Sequence, residues 1–205
     1  MVSRQITCIS LLPYLKGWDI VLVSQSPRRR QLLGDLGLPY RVASSTGDEM
    51  YPTTLEKEEI PIYLSRQKAE HNEVQLGPHT LIIAADTIVW HQGQVLGKPA
   101  NVAEAKEMLS SLAGQVHKVI TGVTLRDLHR TVSFSSETEV EFVSLTSDEI
   151  DYYVDHFCPL DKAGAYGIQE WIGMMGVKRI VGCYYNVMGL PVPQLYKEPK
   201  NWKSD

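Results

Sequence analysis

Residues 19–37 read DIVLVSQSPRRRQLLGDLG, and this stretch decides the fold class. Ile20-Val21-Leu22-Val23 is a short unbroken apolar run, as expected of a strand buried on both faces in a parallel or mixed sheet. Ser26-Pro27 then opens a helix. A serine side chain can accept from the first free N–H groups, and proline lacks only an N–H that the first helical position does not use. Leu32, Leu33 and Leu36 supply the apolar stripe of that helix, and Gly37 ends it. The chain therefore starts its domain as strand, tight turn, helix.

Outward from this unit the same logic continues. Residues 40–44 read as a second strand, leading to Asp48-Glu49. A helix is expected over residues 61–74, with Ile60, Tyr63, Leu64 and Gln67 on one face and Lys68 close to it. Residues 80–89 read as a third strand that passes through His91-Gln92-Gly93-Gln94 into Val95-Leu96. Asn101 can cap a helix carrying Val102, Ala105, Leu109 and Leu112. Residues 116–126 and 131–143 read as an antiparallel pair. Thr146 and Glu149 form a capping box for a helix bearing Ile150, Tyr153, Val154 and Phe157. Residues 177–183 are a late strand and 191–198 a late helix. Strands alternating with helices around a central hairpin define an α/β domain with a mixed twisted sheet and flanking helices. Residues 1–18 read as an N-terminal extension without the features of a signal peptide, and 19–205 as a single domain.

Composition excludes several classes. With Lys+Arg 20 against Asp+Glu 24 the net charge is −4, which argues against a general nucleic-acid binder. No run approaches the roughly 18 apolar residues of a membrane span. Cys8, Cys158 and Cys183 are widely spaced and contain no CxxC, so neither a disulfide framework nor a zinc site is expected. A reducing compartment, the cytoplasm, is the natural location. The six histidines have no metal-ligand spacing and are expected at the surface or at caps.

Four clusters carry chemistry. Ser24-Gln25-Ser26-Pro27-Arg28-Arg29-Arg30 places hydroxyls and arginines at a helix N-terminus, a good phosphate site; the plainer reading is a capped helix with solvated arginines. Asp86, in Ala84-Ala85-Asp86-Thr87, puts a carboxylate inside an apolar strand, which is costly unless it is paired or metal-bound. It is a candidate base or Mg2+ ligand, against the plainer reading of a turn-bonded Asp. Lys68 and Lys98 are each ordinary surface lysines alone; beside Arg28 and Arg29 they can neutralise a triphosphate. Asp161-Lys162-Ala163-Gly164-Ala165-Tyr166-Gly167-Ile168-Gln169 is rich in small residues that allow close backbone approach, with an amide able to read a base edge; in isolation it is a Gly-rich connector.

In this order the clusters resemble the Maf family of nucleotide pyrophosphatases. The matching pieces are Ser24-x-Ser26-Pro27-Arg28-Arg29, Asp48-Glu49, Lys68, Ala85-Asp86-Thr87, Gly97-Lys98-Pro99, Thr121-Gly122-Val123, the 161–169 segment and Asn186-Val187-Met188-Gly189-Leu190-Pro191. The resemblance implies an elongated, two-lobed inosine-triphosphatase-like fold with a central cleft. It also implies hydrolysis of the α–β phosphoanhydride of a nucleoside triphosphate, a house-cleaning role in the nucleotide pool. Arg28, Thr87 and Gln169 match the branch acting on dTTP and UTP; the branch acting on 7-methyl-GTP tends to carry Trp, Gln and Glu there. Glu170-Trp171 and Gly97 depart from the residues the family often has at those places.

The resemblance further implies Asp86, Lys68 and Lys98 as catalytic residues. Ser24, Arg28, Arg29, Thr87 and Gln169 would bind substrate. Asp86 and Glu49 would hold a divalent cation, Mg2+ with Mn2+ as the alternative. The implied partner is the nucleotide, in a protein that binds neither nucleic acid nor membrane and for which a homodimer is compatible with the family. Two other readings stand beside this one: a 7-methyl-GTP pyrophosphatase of the same fold, and a non-catalytic nucleotide-binding regulator of cell division.

Overall fold

The opening apolar run becomes β1 (Asp19–Val23), the second strand of a seven-stranded mixed sheet. The computed structural model describes residues 15–47 and 50–202. After β1 come α1 (Pro27–Asp35), β2 (Arg41–Ala43), α2 (Glu59–Glu70), β3 (Thr80–His91), β4 (Gln94–Leu96) and α3 (Val102–Leu112). The long hairpin of β5 (Val116–Arg126) and β6 (Thr131–Phe142) follows, then α4 (Ser147–Phe157), α5 (Trp171–Gly176), β7 (Val177–Val181), α6 (Tyr184–Val187) and α7 (Val192–Lys197). The strand order is β2-β1-β3-β5-β6-β7, with β4 also on β3. β1 is parallel to β2 and β3, and every other pairing is antiparallel.

One feature of the register creates the site. β1 accompanies β3 only as far as Val23 opposite Ala84, and β4 joins the same edge of β3 at Val89. On its other edge β3 is paired with β5 throughout this region. Residues 85–88 therefore have one open edge, at the carboxyl end of β1, where ligands of open α/β sheets bind.

The two faces of the sheet are covered differently. α2 lies over one face, packing Ile60 and Leu64 on Ile88 and Ile120. It can approach closely because β5 has Gly122 beneath it: a Cβ there would lie 2.2 Å from the Pro61 backbone. The other face carries the main core, with Leu33, Leu109, Leu112, Tyr153 and Val154 fully buried. Leu15 and Trp18, inside the expected N-terminal extension, also pack on this core.

Local signals explain most element ends. Ser26 accepts from the Arg29 N–H as cap of α1, Asn101 caps α3, and Thr146 with Glu149 closes a complete capping box on α4. α2 stops at Glu70, short of the expected 74, because the Asn72 amide donates to the Lys68 and Ala69 carbonyls and satisfies the last turn. In α3 the buried positions are Ala105, Met108, Leu109 and Leu112, and Val102, expected on the apolar stripe, is exposed in the first turn. β7 ends at Val181 because Gly182, at φ +132°, turns the chain. His91 and His117 correct the expectation for histidines. Both are buried, since β3 and β5 carry them side by side into the core.

Candidate active site

At the open edge of β3 lies a cleft of about 590 Å3. It is large enough for a nucleotide-sized ligand. Ser24, Arg28, Arg29, Lys68, Asp86, Thr87, Lys98 and Gln169 all line it, so the residues singled out in sequence converge from five separate segments. Glu49, the second carboxylate expected at a cation, lies outside the described residues together with Asp48.

Asp86 and Thr87 point to opposite faces of β3, as successive strand residues do, and the open edge lets both reach the cleft. On the α2 side Asp86 Oδ1 accepts a hydrogen bond from Lys68 Nζ. The two side chains are only 13% and 15% exposed, so the cost of placing a carboxylate in this strand is offset by an ion pair at close range. Asp86 stands opposite Gly122 in the β3–β5 register. The same missing side chain that admits α2 thus brings Lys68 down to Asp86.

On the other side Thr87 belongs to a chain of polar contacts. Arg29 Nη2 donates to Thr87 Oγ1 at 2.9 Å, and Arg29 Nε donates to the Gly189 carbonyl at 2.7 Å. Thr87 Oγ1 and Thr121 Oγ1 are 2.9 Å apart, and Thr121 donates to the Asn186 carbonyl at 3.0 Å. The fully buried Asn186 amide donates to Val119 O and Thr138 Oγ1, both at 3.0 Å. These contacts tie the segment containing Gly189 to the floor of the cleft and hold the Arg29 guanidinium in place. In the sequence Thr121 and Asn186 stand out only as pieces of a motif; their structural duty depends on pairing across the sheet.

The third wall comes from the 161–169 segment. Arg28 Nη1 donates to Asp161 Oδ2 at 2.8 Å, Lys162 Nζ lies 2.7 Å from Asp161 Oδ1, and Lys162 also reaches Glu170 Oε1 at 3.2 Å. Burial works to raise the Asp161 carboxyl, but the bonds from Lys162 and Arg28 outweigh it and hold that group below its ordinary value. Glu170 accepts from Tyr153 Oη, and Tyr153 Oη accepts from the Gly167 N–H at 3.0 Å. Burial, with Glu170 beside it, pushes the Tyr153 phenol far above its usual range, so it stays protonated. Gly164, at φ +66°, donates its N–H to the Gly97 carbonyl, which anchors the turn carrying Lys98. Lys98 itself stands exposed at the rim. Sequence reasoning missed Lys162 in the cleft lining and Glu170 and Tyr153 behind it. The signal available was a row of charges beside a Gly-rich segment, which does not disclose which charge meets which.

Fold and cleft together define a class: an α/β protein whose strand-to-helix turn, lysines and embedded Asp are arranged around a nucleotide-sized cleft. The model of the Maf-like protein family matches residues 19–201, and the chain belongs to this family. It is 51% identical over 191 residues to a dTTP/UTP pyrophosphatase of Bacteroides fragilis, covering 93% of this chain and 99% of that relative. A dTTP/UTP pyrophosphatase of Parabacteroides distasonis is 50% identical over 193 residues, covering 94% and 100%. One of Porphyromonas gingivalis is 46% identical over 195 residues, covering 94% and 98%. A solved structure of the Staphylococcus aureus Ham1 protein, 16% identical, aligns with 90% of this chain and 100% of that one at a TM-score of 0.44. No helix among the described residues is long and apolar enough to cross a membrane.

Proposed function

We propose that the chain is a nucleoside triphosphate pyrophosphatase acting on dTTP and UTP, releasing the monophosphate and pyrophosphate. The observation that carries the reading is the Lys68–Asp86 pair on the cleft floor, facing arginines at the start of α1. Pure nucleotide binding does not call for a carboxylate beside phosphates. Hydrolysis does, because a water must be oriented and relieved of a proton. The names of relatives about half identical over nearly the whole chain support the same reading.

In this mechanism the α1 N-terminus, Arg28 and Arg29 receive the phosphates, aided by the partial positive charge of the helix start. Lys68 and Lys98 offset charge that develops on the leaving pyrophosphate. Asp86 holds the attacking water and takes its proton as the water oxygen bonds to the α-phosphorus. The bond to the α–β bridging oxygen breaks, and the electron pair departs with pyrophosphate. Gln169 faces the base. Its amide can donate to the O4 carbonyl and accept from N3–H of thymine or uracil, a paired pattern that fits a pyrimidine.

A divalent cation, Mg2+ or Mn2+, fits the donor set. Asp86 Oδ1 is occupied by Lys68, whereas Oδ2 accepts no hydrogen bond from the described residues. No group of three metal-ligating side chains gathers among those residues. The described residues therefore fit an ion that substrate phosphates and waters would largely hold, with Asp86 and, outside the described residues, Glu49 as the expected protein ligands. When bound, such an ion neutralises phosphate charge and acidifies a coordinated water. Cys158 and Cys183 are free thiols, which suits work in the cytoplasm.

The test is pyrophosphate release with Mg2+ from dTTP, UTP, CTP, ATP, GTP and 7-methyl-GTP. Turnover concentrated on dTTP and UTP is expected. Turnover concentrated on 7-methyl-GTP would keep the chemistry and overturn the specificity. Tight nucleotide binding without any pyrophosphate would replace the enzyme by a binding module.

A further inference from the structure

Gln169 faces the cleft from an exposed position, and an exposed glutamine by itself has many rotamers. Its two neighbours are not free in that way. Ile168 is buried in the main core, and the Glu170 side chain is only 19% exposed. One oxygen of the Glu170 carboxylate lies 3.2 Å from Lys162 Nζ, and the other accepts from Tyr153 Oη. Tyr153 is fully buried, and its oxygen in turn receives the Gly167 N–H at 3.0 Å. Glu170 thus grips the same short loop from both sides.

The packing at Gly167 shows what this achieves. A Cβ on Gly167 would lie 2.7 Å from Glu170 Cδ and 2.9 Å from Gln169 Nε2. The Gln169 amide and the Glu170 carboxyl therefore rest together against the bare Cα of Gly167. The chain of charges continues outward, from Lys162 to Asp161 at 2.7 Å and from Asp161 to Arg28 at 2.8 Å. Signs alternate along Arg28, Asp161, Lys162 and Glu170, so each charge has an opposite neighbour.

From this we infer that Glu170 is a positioning residue for base recognition: it fixes the Gln169 amide in the cleft and links that loop to Arg28 at the phosphate end. This deepens the proposed pyrophosphatase function and rests on it. Glu170 does not touch the reacting atoms. Its effect falls on which base is accepted, because a Gln169 amide free to swing offers its donor and acceptor to any base edge. The protonated Tyr153 phenol supports the same geometry, since it can only donate toward Glu170.

Pyrophosphate release by wild type, Glu170→Ala, Glu170→Gln and Tyr153→Phe, each on dTTP, UTP, CTP and GTP, tests the inference. In Glu170→Ala, kcat/KM on dTTP and UTP is expected to fall about tenfold, the scale of one lost hydrogen bond to a charged group, chiefly through KM. GTP turnover should change little, so discrimination between bases shrinks by the same factor. Tyr153→Phe should behave like Glu170→Ala. Glu170→Gln keeps an acceptor for Tyr153 and should restore most of the lost discrimination. Equal loss on all four nucleotides, or unchanged ratios in a folded Glu170→Ala, would overturn the inference. If Glu170→Ala does not fold, the other two variants decide: both matching wild type refutes the role. A wild type that releases pyrophosphate from none of the four fails differently, because it removes the functional reading itself and the inference with it.

Discussion

Asp86 and Lys68 place opposite charges side by side, and each offsets part of the cost of burying the other. Each is mostly buried, and the pair sits on the cleft floor rather than in the core. Asp86→Asn keeps the volume and removes the carboxylate. The fold should persist, while pyrophosphate release falls by a factor on the order of 10² or more. Near-normal kcat in a folded Asp86→Asn protein would take Asp86 out of the mechanism. Gln169→Glu replaces a donor by a second acceptor at the base. It should impair dTTP and UTP selectively over GTP, as read from kcat/KM ratios, and uniform loss would instead make Gln169 structural. Both residues were legible in sequence, because a polar group in an apolar strand and an amide after small residues break local patterns. Glu170 was not. Its partners, Lys162 and Tyr153, lie eight and seventeen positions away and are identified only by the folded contact.

The same limit applies to whole elements. β1, α1, α4 and the β5–β6 hairpin could be read from apolar runs, alternation and caps, all signals contained within a few residues. The gap on β3 could not, because it depends on where two other strands stop pairing. Nor could the depth at which α2 settles. That depth is set by Gly122, whose substitution drives a methyl group into the Pro61 carbonyl and the Ile62 nitrogen, backbone atoms that no rotamer change can move aside. Gly122→Ala should cost at least about 2 kcal/mol of stability by overpacking. It should also lift Lys68 from Asp86, so kcat falls even in protein that remains folded at low temperature. A Gly122→Ala protein with wild-type denaturation midpoint and wild-type kcat would show that α2 does not depend on this contact.

Across the molecule, acid stability links the core to the site wall. His117 on β5 is 2% exposed, its Nε2 lies 2.7 Å from Tyr166 Oη, and Tyr166 is a residue of the cleft wall. Phe142 and Tyr166 pack edge-on against its ring. Burial, with His91 nearby adding to it, pulls the His117 imidazole down to about 3 from its ordinary 6.5. The sign follows directly. Below pH 6.5 the unfolded chain takes up a proton at His117 that the folded chain refuses, so the unfolded state gains. Stability that is complete above that point is lost as pH falls, by up to about 1.4 kcal/mol per pH unit from this one group. The carboxylates whose values are lowered in the fold, Asp19, Asp161, Glu141 and Glu149, also destabilise the protein in acid. Their unfolded values lie near 4, so their effect comes mostly below pH 5. Among these shifted groups, the interval from pH 6.5 to 5 therefore reports His117. Over that interval the wild-type denaturation midpoint should drop with pH, whereas His117→Gln, which can keep a hydrogen bond to Tyr166 without titrating, should give a flatter curve. Parallel curves for the two proteins between pH 6.5 and 5 would mean that His117 accepts its proton in the folded state as readily as in the unfolded one, and that its burial is not what makes the fold acid-sensitive.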